Sequence, residues 1–183
     1  MKNKLWIKIL FPVLIIAVIA TIWFVARSAD DTDTPATTES TEAILADVDF
    51  DLVETVRIDF SALAERGLPV IVTYGSDTCA HSQEMIPVLE KLNAEMQDKA
   101  FIKYMDAWKY YDAASCVPVR VLPTQVIFNP DGTPYIPSAD VAGQIDGFTI
   151  YPGEPTGDHV FTFHEGRLTE EQLRLILADM GVK

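Results

Sequence analysis

The chain has 183 residues, 49% of them apolar, with 27 Asp and Glu against 14 Lys and Arg and only two cysteines. That is enough apolar material for one packed domain with additions, and too few thiols for a disulfide-stapled scaffold or a four-thiolate zinc site. Residues 1–27 hold Lys2, Lys4, Lys8 and Arg27 and no acid, so the rest carries 10 basic and 27 acidic residues, a net of −17, which argues against a nucleic-acid partner.

The 18 residues 9–26 contain no charge, and Leu5, Trp6 and Ile7 extend the apolar stretch across Lys8. At about 1.5 Å per residue such a helix spans a bilayer. Lysines precede it and Asp30, Asp31 and Asp33 follow it, which puts the short N-terminus in the cytoplasm and the remainder outside, in a periplasm or at a cell surface. The alternative is a cleaved signal peptide, but the run exceeds the usual ~7–15 residues, and Ala26-Arg27-Ser28-Ala29 is a poor cleavage sequence. A lipid anchor would need a cysteine near the membrane. We therefore expect residues 1–27 to be a cytoplasmic stub and single-pass transmembrane anchor, with membrane contact through residues 5–26. Residues 28–47, rich in Ser, Thr, Asp, Glu and Ala with no aromatic residue, read as a flexible tether.

Residues 48–183 carry the folded part. Val56, Ile58 and Phe60 alternate with Arg57 and Asp59, the period of a half-buried strand. Ser61 can cap a short helix that Gly67 and Pro69 stop. Residues 70–74 are a short β-rich apolar run, as in a central strand buried on both faces. After the polar break at residues 75–78, Met85, Val88, Leu89, Leu92 and Met96 recur at helical spacing. Residues 100–105 form another apolar strand, so the order strand, helix, strand implies a right-handed crossover and parallel pairing.

A short helix follows at residues 109–115, then a strand at residues 124–128 and a turn at Asn129-Pro130-Asp131-Gly132, with residues 133–136 returning antiparallel. Residues 137–158 read as an irregular insertion. Residues 160–163 resume a strand, and Thr169 with Gln172 makes a capping box for a last helix bearing Leu173, Ile176, Leu177 and Met180. His159 and His164, five apart around that strand, read as surface residues; Asp106-Ala107-Trp108 and Tyr110-Tyr111 can line a peptide-binding surface, the alternative for Trp108 being packing under the short helix.

Cys79 stands where the turn ends and the helix begins. A thiolate there faces unpaired backbone N–H groups and the positive end of the helix dipole, which can lower its pKa from ~8.5 toward ~3.5–7.5. Strand, cysteine, helix is thus a nucleophile geometry. His81 lies two residues on, where an imidazolium would favour the thiolate and an exposed filler would do nothing.

Cys79 at the helix start, Pro87 eight residues into it, Leu122-Pro123-Thr124 before the next strand and Gly166 before the last helix together resemble the thioredoxin superfamily, over residues 68–180. The resemblance implies an α/β fold with a central mixed sheet flanked by helices, a bend at Pro87, and a cis Leu122–Pro123 bond. It also implies a peptide-binding backbone at Leu122, Pro123 and Thr124 beside the sulfur. Partners would be protein thiols or disulfides, with a membrane electron donor as a further one, and no cofactor or metal is called for.

The departures from that family matter equally. Ser82 occupies the position of the family's second cysteine, so intramolecular release of a mixed disulfide by that residue is removed, although its hydroxyl can still donate to the Cys79 thiolate. Thr78 replaces the usual tryptophan and Thr73 the buried acid of the preceding strand. Cys116, seven residues before Pro123, is a candidate resolving thiol, with an unpaired or buried thiol and intermolecular pairing as alternatives. The expected function is extracytoplasmic thiol–disulfide exchange through one cysteine, as an oxidoreductase or isomerase-like enzyme. The alternatives are a non-redox module that retains clients and, with only Cys79 and His81 as ligands, a metal chaperone.

Overall fold

The computed structural model describes residues 49–153 and 156–183. The anchor and tether expected of residues 1–47 lie outside the described residues, among which no helix is long and apolar enough to cross a membrane. The elements are β1 (Val53–Glu54), α1 (Phe60–Ala64), β2 (Val70–Gly75), α2 (Ala80–Glu95), β3 (Phe101–Asp106) and α3 (Tyr111–Ala114), then β4 (Thr124–Phe128), α4 (Ala139–Ala142), β5 (Phe148–Pro152), β6 (His159–Glu165) and α5 (Glu170–Asp179).

One mixed sheet runs in the order β1-β3-β2-β4-β6-β5. β3 is parallel to β1 and β2, joined to β2 through α2 as the strand–helix–strand pattern requires, and β4, β6 and β5 add antiparallel. Every residue of β2, β3 and β4 is buried. Such strands have no solvent face, so their sequences are mostly apolar rather than alternating.

The side chains of these strands divide between two clusters by the pleat. Ile71, Ile102 and Ile127 pack with Met85, Leu89 and Leu92 of α2 and with Leu173, Ile176 and Leu177 of α5. Val70, Val72, Phe101, Met105, Val126 and Phe128 face the other way, with Leu63 of α1 and Ala114 of α3. Helix α5 begins with the capping box, Gln172 N donating to Thr169 Oγ1 and Thr169 N to Gln172 Oε1.

Four expectations are corrected. The alternation at Val56–Phe60 is not a strand: β1 ends at Glu54, Ile58 alone is buried, Val56 is exposed, and Phe60 opens α1. The cap of α1 is Asp59 rather than Ser61, its carboxylate accepting from Ser61 N and Ala62 N. Residues 137–158 are not irregular throughout, because they supply α4 and the edge strand β5. His164 is buried in the sheet instead of lying on the surface, since β6 places it opposite Gln125.

Candidate active site

Cys79 is the N-cap residue of α2, with extended φ and ψ of −98° and 115°. Its carbonyl accepts the first helical N–H from Gln83 at 3.0 Å, its side chain makes no cap hydrogen bond, and the first turn carries no acid. The sulfur therefore meets the positive end of a 16-residue helix without a competing carboxylate in that turn.

The loop before it is held from two sides. Asp106, at the end of β3, accepts from Asp77 N at 2.8 Å through one oxygen and from Trp108 N and Lys109 N at 3.0 and 2.8 Å through the other. Ser76 Oγ bonds Thr78 Oγ1 at 2.8 Å and accepts from Thr78 N, while Gln83 Nε2 donates to Asp77 O. Sequence reading set Asp106 on a peptide-binding surface. It is buried, and its work is to tie the β2–α2 and β3–α3 connections together.

The thiol pKa is held below its ordinary value, first by the Ser82 hydroxyl and next by the Ser82 N–H, with the His81 N–H adding, against partial burial. Ser82 is fully buried, and beside the neutral thiol its Oγ has no formed hydrogen bond, so the charged sulfur is the acceptor it can serve. The neutral thiol donates instead to Leu122 O at 3.6 Å.

The Leu122–Pro123 peptide bond is cis. Pro123 O accepts from Gly166 N at 2.9 Å, and Thr124 is the registered partner of both Tyr74 and Glu165, with its hydroxyl donating to Val121 O. Of the expected binding backbone, Pro123 and Thr124 are thus committed to the fold, and the carbonyl that meets the sulfur is that of Leu122.

The other sequence candidates fall at different distances from this centre. His81 is exposed, and its ring nitrogen lies 3.8 Å from Glu84 Oε2, which also pairs with Arg167 at 3.0 Å. What it gives the sulfur is its backbone N–H. Cys116 packs with the cluster on the opposite sheet face, donates to Ala113 O at 3.4 Å, and borders a pocket with Arg57, Ile58 and Phe161. Both thiols are free. Trp108 is 73% exposed and Tyr111 71% exposed, so neither is packed under α3. They line a groove with Val117, Arg120 and Leu122 that reaches the thiol side of the domain. Among the described residues no three His, Cys, Asp or Glu side chains are placed to share a metal ion.

Residues 51–146 match the family model for thioredoxin. The chain belongs to the thioredoxin family. Among curated relatives, it is 33% identical over 66 residues to thioredoxin Y1, chloroplastic, of Arabidopsis thaliana, covering 36% of this chain and 38% of that one. It is 32% identical over 70 residues to thioredoxin Y, chloroplastic, of Oryza sativa subsp. japonica, covering 38% and 42%. The matches thus span about two fifths of the length of these relatives. Among solved structures, chloroplastic thioredoxin z aligns with a TM-score of 0.43 at 22% identity over 71% of this chain and 97% of its own. Fasciola hepatica thioredoxin aligns with a TM-score of 0.46 at 17% identity over 70% and 97%.

Proposed function

We propose that this thioredoxin-family chain performs thiol–disulfide exchange with Cys79 as its single nucleophile, in a domain held outside the cytoplasm by an N-terminal membrane anchor. The observation that carries the reaction is Cys79 at the N-cap of α2 with its pKa lowered by Ser82. The Cys79 thiolate attacks one sulfur of a client disulfide, forming a mixed disulfide and releasing the other sulfur as a thiolate that takes a proton from solvent. A second thiolate, from another client or from a membrane electron donor, then attacks the client sulfur of the mixed disulfide, forming a new disulfide with it and returning Cys79 as thiolate. Ser82 cannot perform that attack, so the adduct waits for an outside thiol. The anchor rests on the uncharged residues 9–26 with lysines before and acids after.

The test is alkylation of Cys79 against pH, with adduct capture on a non-reducing gel. A thiol titrating well below ~8.5 and a disulfide-linked client lost in Cys79→Ser support the reading. An ordinary thiol and an unchanged client pattern in Cys79→Ser refute it. For the anchor, protease applied from outside to cells stripped of any outer barrier should remove the domain, and full protection would refute it.

A second reading, a client-retaining module, is favoured by the exposed Trp108 and Tyr111 along the groove that ends at Leu122. Client binding that survives Cys79→Ser and is lost in Trp108→Ala would select it.

A further inference from the structure

The sheet face beneath α2 carries a polar row across four strands. Tyr104 on β3 is the registered neighbour of Thr73 on β2, Thr73 of Gln125 on β4, and Gln125 of His164 on β6. Neighbours in register point to the same face, so the four side chains lie side by side across four strands. All are buried. The far half of the row is satisfied: His164 Nδ1 bonds Gln125 Oε1 at 2.7 Å, and Gln125 Nε2 contacts Met85 Sδ at 3.5 Å. The half near Cys79 is not, for Tyr104 Oη, Thr73 Oγ1 and Ser82 Oγ all lack a hydrogen-bond partner.

Two of these orphaned hydroxyls converge. A methyl group at Gly75 would sit 2.9 Å from Tyr104 Oη, 3.0 Å from Ser82 Oγ and 2.6 Å from the Tyr104 ring. The missing side chain of Gly75 therefore opens a notch in which both oxygens flank one point. Neither oxygen is bonded to the other as placed, so a small turn of either side chain or a single buried water would complete the pair.

We propose that Tyr104 is a positioning residue for the Cys79 thiolate, donating its hydroxyl to Ser82 Oγ in the Gly75 notch and so turning the Ser82 proton toward the sulfur. The direction of this chain follows from charge. Burial first, and then the negative charges of Asp106, Asp77 and Cys79, push the Tyr104 pKa up to about 12, so the phenol keeps its proton and enters the pair as a donor. A serine hydroxyl has one proton to give. With its oxygen occupied by Tyr104, that proton is left for Cys79. The other charged groups around this centre are His81 and Glu84 of α2 with Arg167 at the foot of α5, and all three are on the solvent side.

The inference rests on Cys79 being the nucleophile, and one set of titrations separates the two. In the full-length protein in detergent, the pH midpoint of Cys79 alkylation by iodoacetamide is compared for wild type, Tyr104→Phe, Ser82→Ala and the double variant, each with Cys116→Ser as background. Tyr104→Phe should raise the midpoint by about 0.5–1 pH unit, slowing alkylation below it about three- to tenfold. It should add nothing to Ser82→Ala. An unchanged midpoint in Tyr104→Phe, or an equal shift with and without Ser82, overturns the role of Tyr104 while leaving Cys79 as nucleophile. An ordinary midpoint already in wild type refutes the nucleophile reading itself. A second measurement needs no variant: a slowly exchanging Tyr104 hydroxyl proton close to the Ser82 β-protons in NMR spectra supports the pair, and rapid exchange overturns it.

Discussion

The two faces of the sheet are made from the same strands and differ in chemistry. One holds an aromatic assembly: Phe50 stacks on Phe101 at 4.6 Å, Phe60, Phe128 and Phe161 meet edge-on or tilted at 5.0–6.1 Å, and Phe161 stacks on Phe163 at 5.7 Å. The other holds aliphatic contacts to α2 and α5, crossed by the row of Tyr104, Thr73, Gln125 and His164. Aromatic burial supplies cohesion without hydrogen-bond demands, whereas a buried polar row costs desolvation unless each group finds a partner. The polar row lies on the side of α2, whose N-cap is Cys79. On the role proposed for Tyr104, the aromatic face supplies cohesion and the opposite face sets the thiol.

Substitutions on each face test this division. The largest effect belongs to Cys79→Ser, which should abolish exchange with a protein disulfide in a turnover assay while leaving the thermal midpoint near that of wild type. On the aromatic face, Phe101→Ala should cost about 3–5 kcal/mol in denaturant unfolding, with the alkylation midpoint of Cys79 unmoved. A shift of that midpoint would show that the faces are coupled. A smaller loss separates a helix end from both faces: Thr169→Ala removes one arm of the capping box of α5 and should cost about 1 kcal/mol, again without changing the thiol.

Acid gives the smallest effect. The hydrogen bond from Lys103 holds the Asp49 carboxyl below its ordinary value against partial desolvation. Its folded pKa is depressed, so the stability it contributes is present above the ordinary carboxylate range and fades as pH falls through the lowered folded value. Asp49 is more than half exposed, which makes this contribution slight. Unfolding midpoints of wild type and Asp49→Asn should differ at neutral pH and converge in acid.

How far the sequence alone reached follows the same physical lines. β2, β3 and β4 are legible because strands buried on both faces are mostly apolar rather than alternating, and α2 and α5 because their apolar faces repeat at helical spacing. Val56–Phe60 misled because alternation appears wherever a chain skims a core, and only Ile58 enters it. β5 was missed because it is an edge strand whose residues are half or fully exposed, so burial writes no pattern into it. His164 looked like a surface residue because its partner Gln125 is 39 positions away. Cys79 was readable because a helix start is a local feature, whereas Ser82 and Leu122 came from the resemblance to the thioredoxin superfamily. The bracing by Asp106, the notch at Gly75 and the approach of Tyr104 to Ser82 bring together residues from three elements, and no local pattern encodes that meeting.

The entry of the chain into the domain has a mechanical consequence. Lys103, 2% exposed at the centre of β3, holds Asp49 at 2.9 Å and Glu54 at 2.7 Å, while Asn93 Nδ2 grips Phe50 O at 2.6 Å. Tension arriving along the preceding sequence therefore meets a charged clasp and the edge strand β1 before it reaches β3. The strand that leads into Cys79 is β2, one position further into the sheet. A domain pulled from its N-terminal side would yield first at Asp49–Glu54, with the geometry around the sulfur still intact.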